Sequence, residues 1–398
     1  PKNIPPIKDP QGELKKLLDH PIGTRPFREL FKPGENIAII VSDITRTTRM
    51  EGLLPTIMGE LGKLGIPDKD ITIVFATGGH WLHTPEQMKQ IIGEDFFNRF
   101  KKVDHDCKNK AEMEVLGRTR RGTPVEFNRA VAGADKVIAT GNITYHYFAG
   151  FSGGRKAIMP GVASYAAIQH NHNLCMSGPG KTRHPLSATG VLLGNPVHEE
   201  MEEAALFIKD VFLLNTVLTE DRSIGGIFAG DLRSAFAAGT EFLNAHYRIL
   251  IKEKADLVIV SAGGYPKDIN FVQAHKAMEH ASHALKEGGT LILLAEAAQG
   301  FPAEIYEKYF RLGSPAAIEA ALRENYAVAG QTVYAALTKA KKFNIIWVSP
   351  QMKKYADMMH MRGAENMEAA LKVAQAELPP DFSAYIIPSG YTTFPVNS

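Results

Sequence analysis

Six short runs of aliphatic and β-branched residues recur along the chain: Asn36–Val41, Ile71–Ala76, Lys136–Ala139, Asp256–Val260, Thr290–Leu294 and Asn344–Val348. Each is nearly continuous in apolar character and closes on a turn or a polar cluster, the pattern of a strand covered on both faces. Segments of helical period lie between them, including Gly52–Leu64, Glu199–Ile208 and Phe271–Lys286. This alternation predicts an α/β protein with mainly parallel sheets flanked by helices. A chain of 398 residues exceeds one ordinary core, so two domains are expected, with the active site in the interdomain cleft. Glu241–Lys254 leads into a fresh strand, glycine turn and helix starting at Asp256. The expected domains are therefore 1–250 and 251–374, with the tail 375–398 a candidate to return to the first domain through a strand at Ala384–Pro388.

Parallel sheets bind ligands beyond the carboxyl ends of their strands. Polar and glycine-rich residues fall there: Ser42-Asp43, Thr77-Gly78-Gly79-His80, Gly141-Asn142 and Ser261-Ala262-Gly263-Gly264. The 45 basic and 43 acidic side chains leave a net charge of +2, which provides no field for nucleic acid or an anionic membrane surface. Two cysteines, Cys107 and Cys175, exclude a disulfide framework and a cysteine-only metal cluster, and they fit a reducing cytoplasm. Pro1–Pro10 lacks the apolar core of a signal peptide, and no apolar run approaches the roughly 20 residues that span a bilayer. Small-molecule chemistry is the expectation.

The chemistry-bearing residues concentrate in the first domain. His80 follows a glycine pair at a strand end, where an imidazole can titrate near neutrality; a turn histidine facing water is the alternative. Gly141–Gly161 combines Gly150, Gly153 and Gly154 with His146, Arg155 and Lys156, suiting a loop whose amides and cations converge on an anion. It is neither a Walker A motif nor a G-x-G-x-x-G turn. The interleaved Tyr145, Tyr147, Phe148 and Phe151 argue against a mobile surface loop. His170 and His172 form an H-x-H pair that could share one metal if extended but would diverge if helical, and no carboxylate or cysteine pair at ligand spacing accompanies them. In the segment from Ser42 to Arg49, Arg46 suits a carboxylate or phosphate, while Asp43 could orient it or cap the next helix. Gln273 and Lys276, three apart, share a helix face, where Lys276 is either functional or solvated. Cys107 reads as a small buried residue.

Five pieces in order, Ser-Asp-x-Thr-Arg at 42–46, Ala-Thr-Gly-x-His at 76–80, Tyr-His-Tyr-Phe-Ala-Gly-Phe-Ser-Gly-Gly-Arg-Lys at 145–156, Asn-His at 171–172 and Gln-x-x-Lys at 273–276, resemble the lactate racemase family. The run from Tyr145 to Gly161 is the most specific, and the spacings of 10 from His146 to Lys156 and 16 on to His172 agree with the family pattern.

The resemblance implies a nickel-pincer nucleotide, with Lys156 as its covalent tether and His172 as the nickel ligand, and with Asp43, Thr45, Gly153 and Gly154 near the nucleotide. It implies an isomerase that inverts C2 of a 2-hydroxy acid through transient hydride transfer to that cofactor, a route favoured because the Cα–H beside a carboxylate is weakly acidic. His80 and His146 would be the two acid/base residues, and Arg46, Gln273 and Lys276 would bind the substrate carboxylate. Cofactor-building proteins are the implied partners. Trp81 follows His80 where many relatives carry a basic residue, so lactate or a larger 2-hydroxy acid is the implied substrate. A noncatalytic nickel or nucleotide carrier and a metal-dependent hydrolase using His170, His172 and His80 are the alternatives.

Overall fold

The computed structural model describes residues 4–178 and 183–397. They form two compact units, dividing between Ala245 and His246. The first contains, in chain order, β1 (Ile37–Ser42), β2 (Ile71–Ala76), β3 (Lys101–Asp104), the hairpin β4 (Met113–Arg118) and β5 (Pro124–Asn128), β6 (Lys136–Asn142), the short hairpin β7 (Tyr145–His146) and β8 (Gly150–Phe151), β9 (Val211–Leu218) and β10 (Ile224–Asp231). Six of these make one sheet in the order β10-β9-β6-β1-β2-β3, parallel except for the β9–β10 pair. Five of the six residues of β1 are buried, as a strand covered on both faces requires. One face packs Ile37, Ile39, Ile73 and Phe75 against Ile57 and Leu61 of the helix Leu54–Lys63. Each such buried side chain is worth about 1.5–3 kcal/mol.

The strand order fixes where a ligand can bind. After β1 the chain winds outward through β2 and β3, then returns to the other side of β1 as β6. Connections therefore leave the carboxyl ends of β1 and β6 in opposite directions, opening a crevice there. Ser42–Arg46 follows β1, and the 145–156 segment follows β6.

The second unit contains β11 (Arg248–Ile251), β12 (Ala255–Ser261), β13 (Leu285–Leu294), β14 (Asn344–Val348), β15 (Arg362–Ala364), β16 (Ala384–Ile387) and β17 (Phe394–Asn397). Five form an all-parallel sheet, β15-β14-β13-β12-β16, and β11 pairs separately with β17. Its own switch point lies between β12 and β16. No helix among the described residues is long and apolar enough to cross a membrane.

The fold class is as the alternation predicted, and all six expected strands are present. Several boundaries differ. Gly141 and Asn142 lie inside β6, paired with Asn215 and Thr216, rather than after it. The helix expected over Phe271–Lys286 ends at Ala281, gives one 3-10 turn at Ser282–Ala284, and passes into β13 at Leu285. The helix expected over Glu199–Ile208 runs from Pro196 to Ala205, started by Asn195, whose side chain accepts from the Val197 and His198 amides. The strand within 384–388 pairs with β12 in the second sheet, not with the first domain, because its register places Tyr385, Ile386 and Ile387 along Val258, Ile259 and Val260.

Candidate active site

The crevice at β1 and β6 gathers most of the singled-out residues. Leaving β1, the chain turns at Asp43, which is 6 % exposed. Its Oδ1 accepts from the Thr45 amide at 2.7 Å and from the Thr45 hydroxyl, and its Oδ2 lies 3.2 Å from His80 Nδ1. Burial alone would raise the Asp43 carboxyl. The hydrogen bond and charge of His80, the charge of Arg46 and the Thr45 hydroxyl outweigh it and hold the group at about 2, against a usual 3.8. Asp43 is therefore ionised and accepts only, so its partner nitrogen on His80 carries the hydrogen. In the neutral form of the ring the lone pair would then lie on Nε2. Arg46 and Thr45 themselves are exposed.

His80 comes from the loop after β2. Gly78, at φ +56°, lets that loop turn, and its amide donates to Gly161 O at 2.9 Å, tying the His80 loop to the segment that carries Lys156. Nearby, His83 has a structural position: its Nδ1 lies 2.8 Å from Asp104, and its Nε2 accepts from the Ile44 amide. Trp81 and Leu82, 61 % and 52 % exposed, flank His80.

The segment after β6 folds around one aromatic ring. Phe148 is 2 % exposed, and its centroid lies 4.5 Å from the His146 ring, 5.1 Å from the His172 ring and 5.8 Å from Lys156 Nζ. Three residues implied as base, metal ligand and tether thus share one neighbour. His146 Nδ1 accepts from the Ala149 amide at 3.3 Å, which in the neutral ring leaves the hydrogen on Nε2. Burial, then the charges of Arg155 and Arg46, all push the Lys156 amine well below the ordinary lysine range. His172 is held at about 3, by burial first and then by Lys156, and its buried Nδ1 has no hydrogen-bond partner among the described residues.

Gly153 and Gly154 owe their identity to packing. A Cβ on Gly153 would meet Asn215 Oδ1 at 2.7 Å, and one on Gly154 would meet Phe236 at 2.5 Å; both have positive φ, +76° and +55°. Asn215, fully buried in the largely apolar β9, accepts from the Gly154 amide at 2.7 Å and so fixes the turn before Lys156. Arg155 is buried with its guanidinium 4.7 Å over Phe236 and donating to Ala149 O; burial pulls it down to about 9.

His170 and His172 lie on one helix, Tyr165–Asn173, so they point in different directions. His170 meets the Thr123 hydroxyl at 2.9 Å, while His172 faces the Phe148 cluster. Among the described residues, no group of three or more His, Cys, Asp or Glu could hold a metal ion unaided. His105 is buried against Ala163 O, and Cys107 is a buried free thiol whose pKa burial raises.

In the second unit, Gln273 and Lys276 share a face of the helix Phe271–Ala281, and Lys276 Nζ donates to Gln273 Oε1 at 2.7 Å. Asp43 as the partner of His80, Phe148 as the shared ring and Asn215 as the turn anchor were not assigned these roles from sequence. An asparagine within the run Val-Phe-Leu-Leu-Asn-Thr-Val-Leu at 211–218 was the available signal for the last.

Comparison with known proteins gives one family. Residues 1–183 match the family described as the lactate racemase N-terminal domain, and residues 250–394 match the lactate racemase C-terminal domain. A lactate racemase of Thermoanaerobacterium thermosaccharolyticum is 34% identical over 395 residues, covering 95% of this chain and 88% of that protein. One from Lactiplantibacillus plantarum is 38% identical over 294 residues, 74% of this chain and 68% of that protein. The solved lactate racemase apoprotein of T. thermosaccharolyticum superposes with a TM-score of 0.89 at 33% identity, covering 97% and 92% of the two chains. A Thermotoga maritima structure shares the fold at TM-score 0.69 and 16% identity, covering 98% and 97%. The chain belongs to the lactate racemase family, a family of isomerases.

Proposed function

We propose that this chain inverts the C2 configuration of a 2-hydroxy acid with a nickel-pincer nucleotide held by Lys156 and His172. The observation that carries this is the convergence of His146, His172 and Lys156 on the Phe148 ring. The residues fit the group. A buried imidazole kept neutral, with an unpartnered Nδ1, is the form a metal binds. A lysine amine pushed toward its neutral form is a nucleophile suited to covalent attachment. One histidine ligand suffices where the organic part supplies the remaining donors. Asp43, Thr45, Gly153 and Gly154 are assigned to its neighbourhood, the last two by shaping the turn.

When bound, the cofactor supplies a hydride acceptor that also gives the hydride back, so the reaction needs no other redox partner. The chain's own groups manage the proton and the carboxylate. His80 Nε2, on the ring edge opposite the Asp43 contact, takes the hydroxyl proton. His146 presents an Nε2 hydrogen that can support the oxygen left behind. For the opposite substrate orientation His146 is the assigned base, a task that needs its Nε2 free of hydrogen and the 3.3 Å Ala149 amide contact at Nδ1 released. Carboxylate recognition is assigned to Arg46 in the first unit and to Lys276 with Gln273 in the second. The named relatives are lactate racemases; lactate is accordingly one candidate substrate, and the exposed Trp81 beside His80 suits a larger 2-hydroxy acid. The two buried free cysteines suit the cytoplasm, where cofactor-building proteins would load the chain.

The test is to produce the chain together with cofactor-building proteins, measure nickel and the mass of the peptide bearing Lys156, and screen lactate, an aryl 2-hydroxy acid and malate by chiral chromatography. About one nickel per chain, a mass increase at Lys156 and interconversion of enantiomers are expected. Active, nickel-loaded protein with unmodified Lys156 would remove the tether assignment.

A further inference from the structure

The second sheet has its own switch point. From β12 the chain winds away through β13, β14 and β15, then returns as β16 on the other side of β12. The crevice at the carboxyl ends of β12 and β16 is bordered by the helix Phe271–Ala281 and by the turn 388–393. At that place two side chains meet: Lys276 Nζ donates to the Tyr391 hydroxyl at 3.2 Å, and it lies 4.9 Å from the centroid of the Tyr391 ring.

We propose that Tyr391 is a positioning residue for the substrate carboxylate, acting by fixing the ammonium of Lys276. This rests on the assignment of Lys276 to carboxylate recognition made above. A lysine side chain has four rotatable carbons and points its charge in many directions. Here the ammonium donates to Gln273 Oε1 and to the Tyr391 oxygen, and these two bonds hold its nitrogen in place. The ring adds a cation–π contact.

The turn that delivers Tyr391 is itself held tightly. The Gly390 amide donates to Ser261 O at 2.8 Å, and Gly390 O meets His280 Nδ1 at 2.9 Å. A Cβ at Gly390 would lie 2.3 Å from Val260 Cγ2 and 3.0 Å from Ala277 Cβ, so only glycine lets the turn sit this close to β12 and the helix. Two hydrogen bonds and this close approach fix the backbone from which Tyr391 extends. Such support of a charged group by a rigid neighbour is what precise recognition needs.

The test uses the cofactor-loaded chain and the 2-hydroxy acid turned over fastest in the screen. Tyr391→Phe keeps the ring and the packing but removes the oxygen. It should raise KM about tenfold, the order expected for loss of a hydrogen bond to a charged group, and leave kcat within about twofold. In a Lys276→Ala background the same change should have no further effect. A parental KM in Tyr391→Phe overturns the proposal, and so does an effect that persists undiminished without Lys276. If Lys276→Ala itself keeps the parental KM while Tyr391→Phe is impaired, the carboxylate assignment of Lys276 fails instead. Titrating the same acid into the cofactor-free chain, read by NMR line broadening, should show the same ranking without turnover.

Discussion

Replacing Asp43 by Asn tests the link between the two strand ends most directly. The carboxyl sits at about 2 rather than 3.8, which at about 1.4 kcal/mol per pH unit favours its ionised form by roughly 2.5 kcal/mol. Part of that preference is shared with His80, whose side chain is 40% exposed, so solvent screening leaves about 1 kcal/mol, near fivefold, for the Asp43–His80 contact itself. The larger effect is on the tautomer. An asparagine amide can donate to Nδ1, which would move the imidazole hydrogen to Nε2 and remove the lone pair that takes the hydroxyl proton. Because general-base catalysis is worth about 10²–10⁴-fold, kcat should fall about 10²–10³-fold. Enantiomers are equal in energy, so kcat/KM must fall equally in the two directions, which provides an internal control. The assay is chiral chromatography of the racemised acid, with nickel content and Tm measured on the same preparation. Nickel should be unchanged and Tm lower by no more than about 5 °C. A folded Asp43→Asn protein with kcat within about threefold of the parent would refute the orienting role. Loss of nickel in that variant would instead move Asp43 to the cofactor.

The same carboxyl makes a pH prediction. Its folded pKa lies below the unfolded value, so its stabilisation is present above 3.8 and lost as pH falls toward 2. The stability gap between parent and Asp43→Asn, measured by urea unfolding, should therefore shrink by up to about 2 kcal/mol over that acid range. His172→Ala should release nickel on dialysis, whereas His80→Ala and His146→Ala should keep it and lose racemisation; equal loss of metal in all three would contradict the division of tasks. Gly154→Ala places a Cβ 2.5 Å from Phe236 at φ +55°, and should cost about 2–4 kcal/mol, seen as a fall in Tm whether or not cofactor is present.

What could be read from sequence follows the range of the physics involved. Strands buried on both faces announce themselves locally, so β1, β2 and β14 were found within a residue. The passage from helix to strand at Leu285 was missed because Ser282–Lys286 keeps a helical appearance until the register of β13 on β12 claims it. The H-x-H pair left two geometries open, and only the helix Tyr165–Asn173, begun by the Ser164 cap, separates His170 from His172. Contacts between strand ends far apart in the chain were out of reach: Asp43 with His80, or Asn215 with Gly154, depends on which strands lie side by side.

The glycine pair before Lys156 shows why one residue pattern can support two explanations. From sequence, Gly153-Gly154 beside Arg155 and Lys156 suggested amides converging on an anion. In the fold each is also required sterically, against Asn215 and Phe236. Any explanation that needs a bare backbone there demands glycine, so residue type alone cannot distinguish them. Burial can. Arg155 is 1 % exposed and directed at Ala149 O and the Phe236 ring, so it has no free fork to offer a phosphate. Burial first, and then the inward-turned charge of Arg155, favour a neutral Lys156 amine beside the Phe148 cluster.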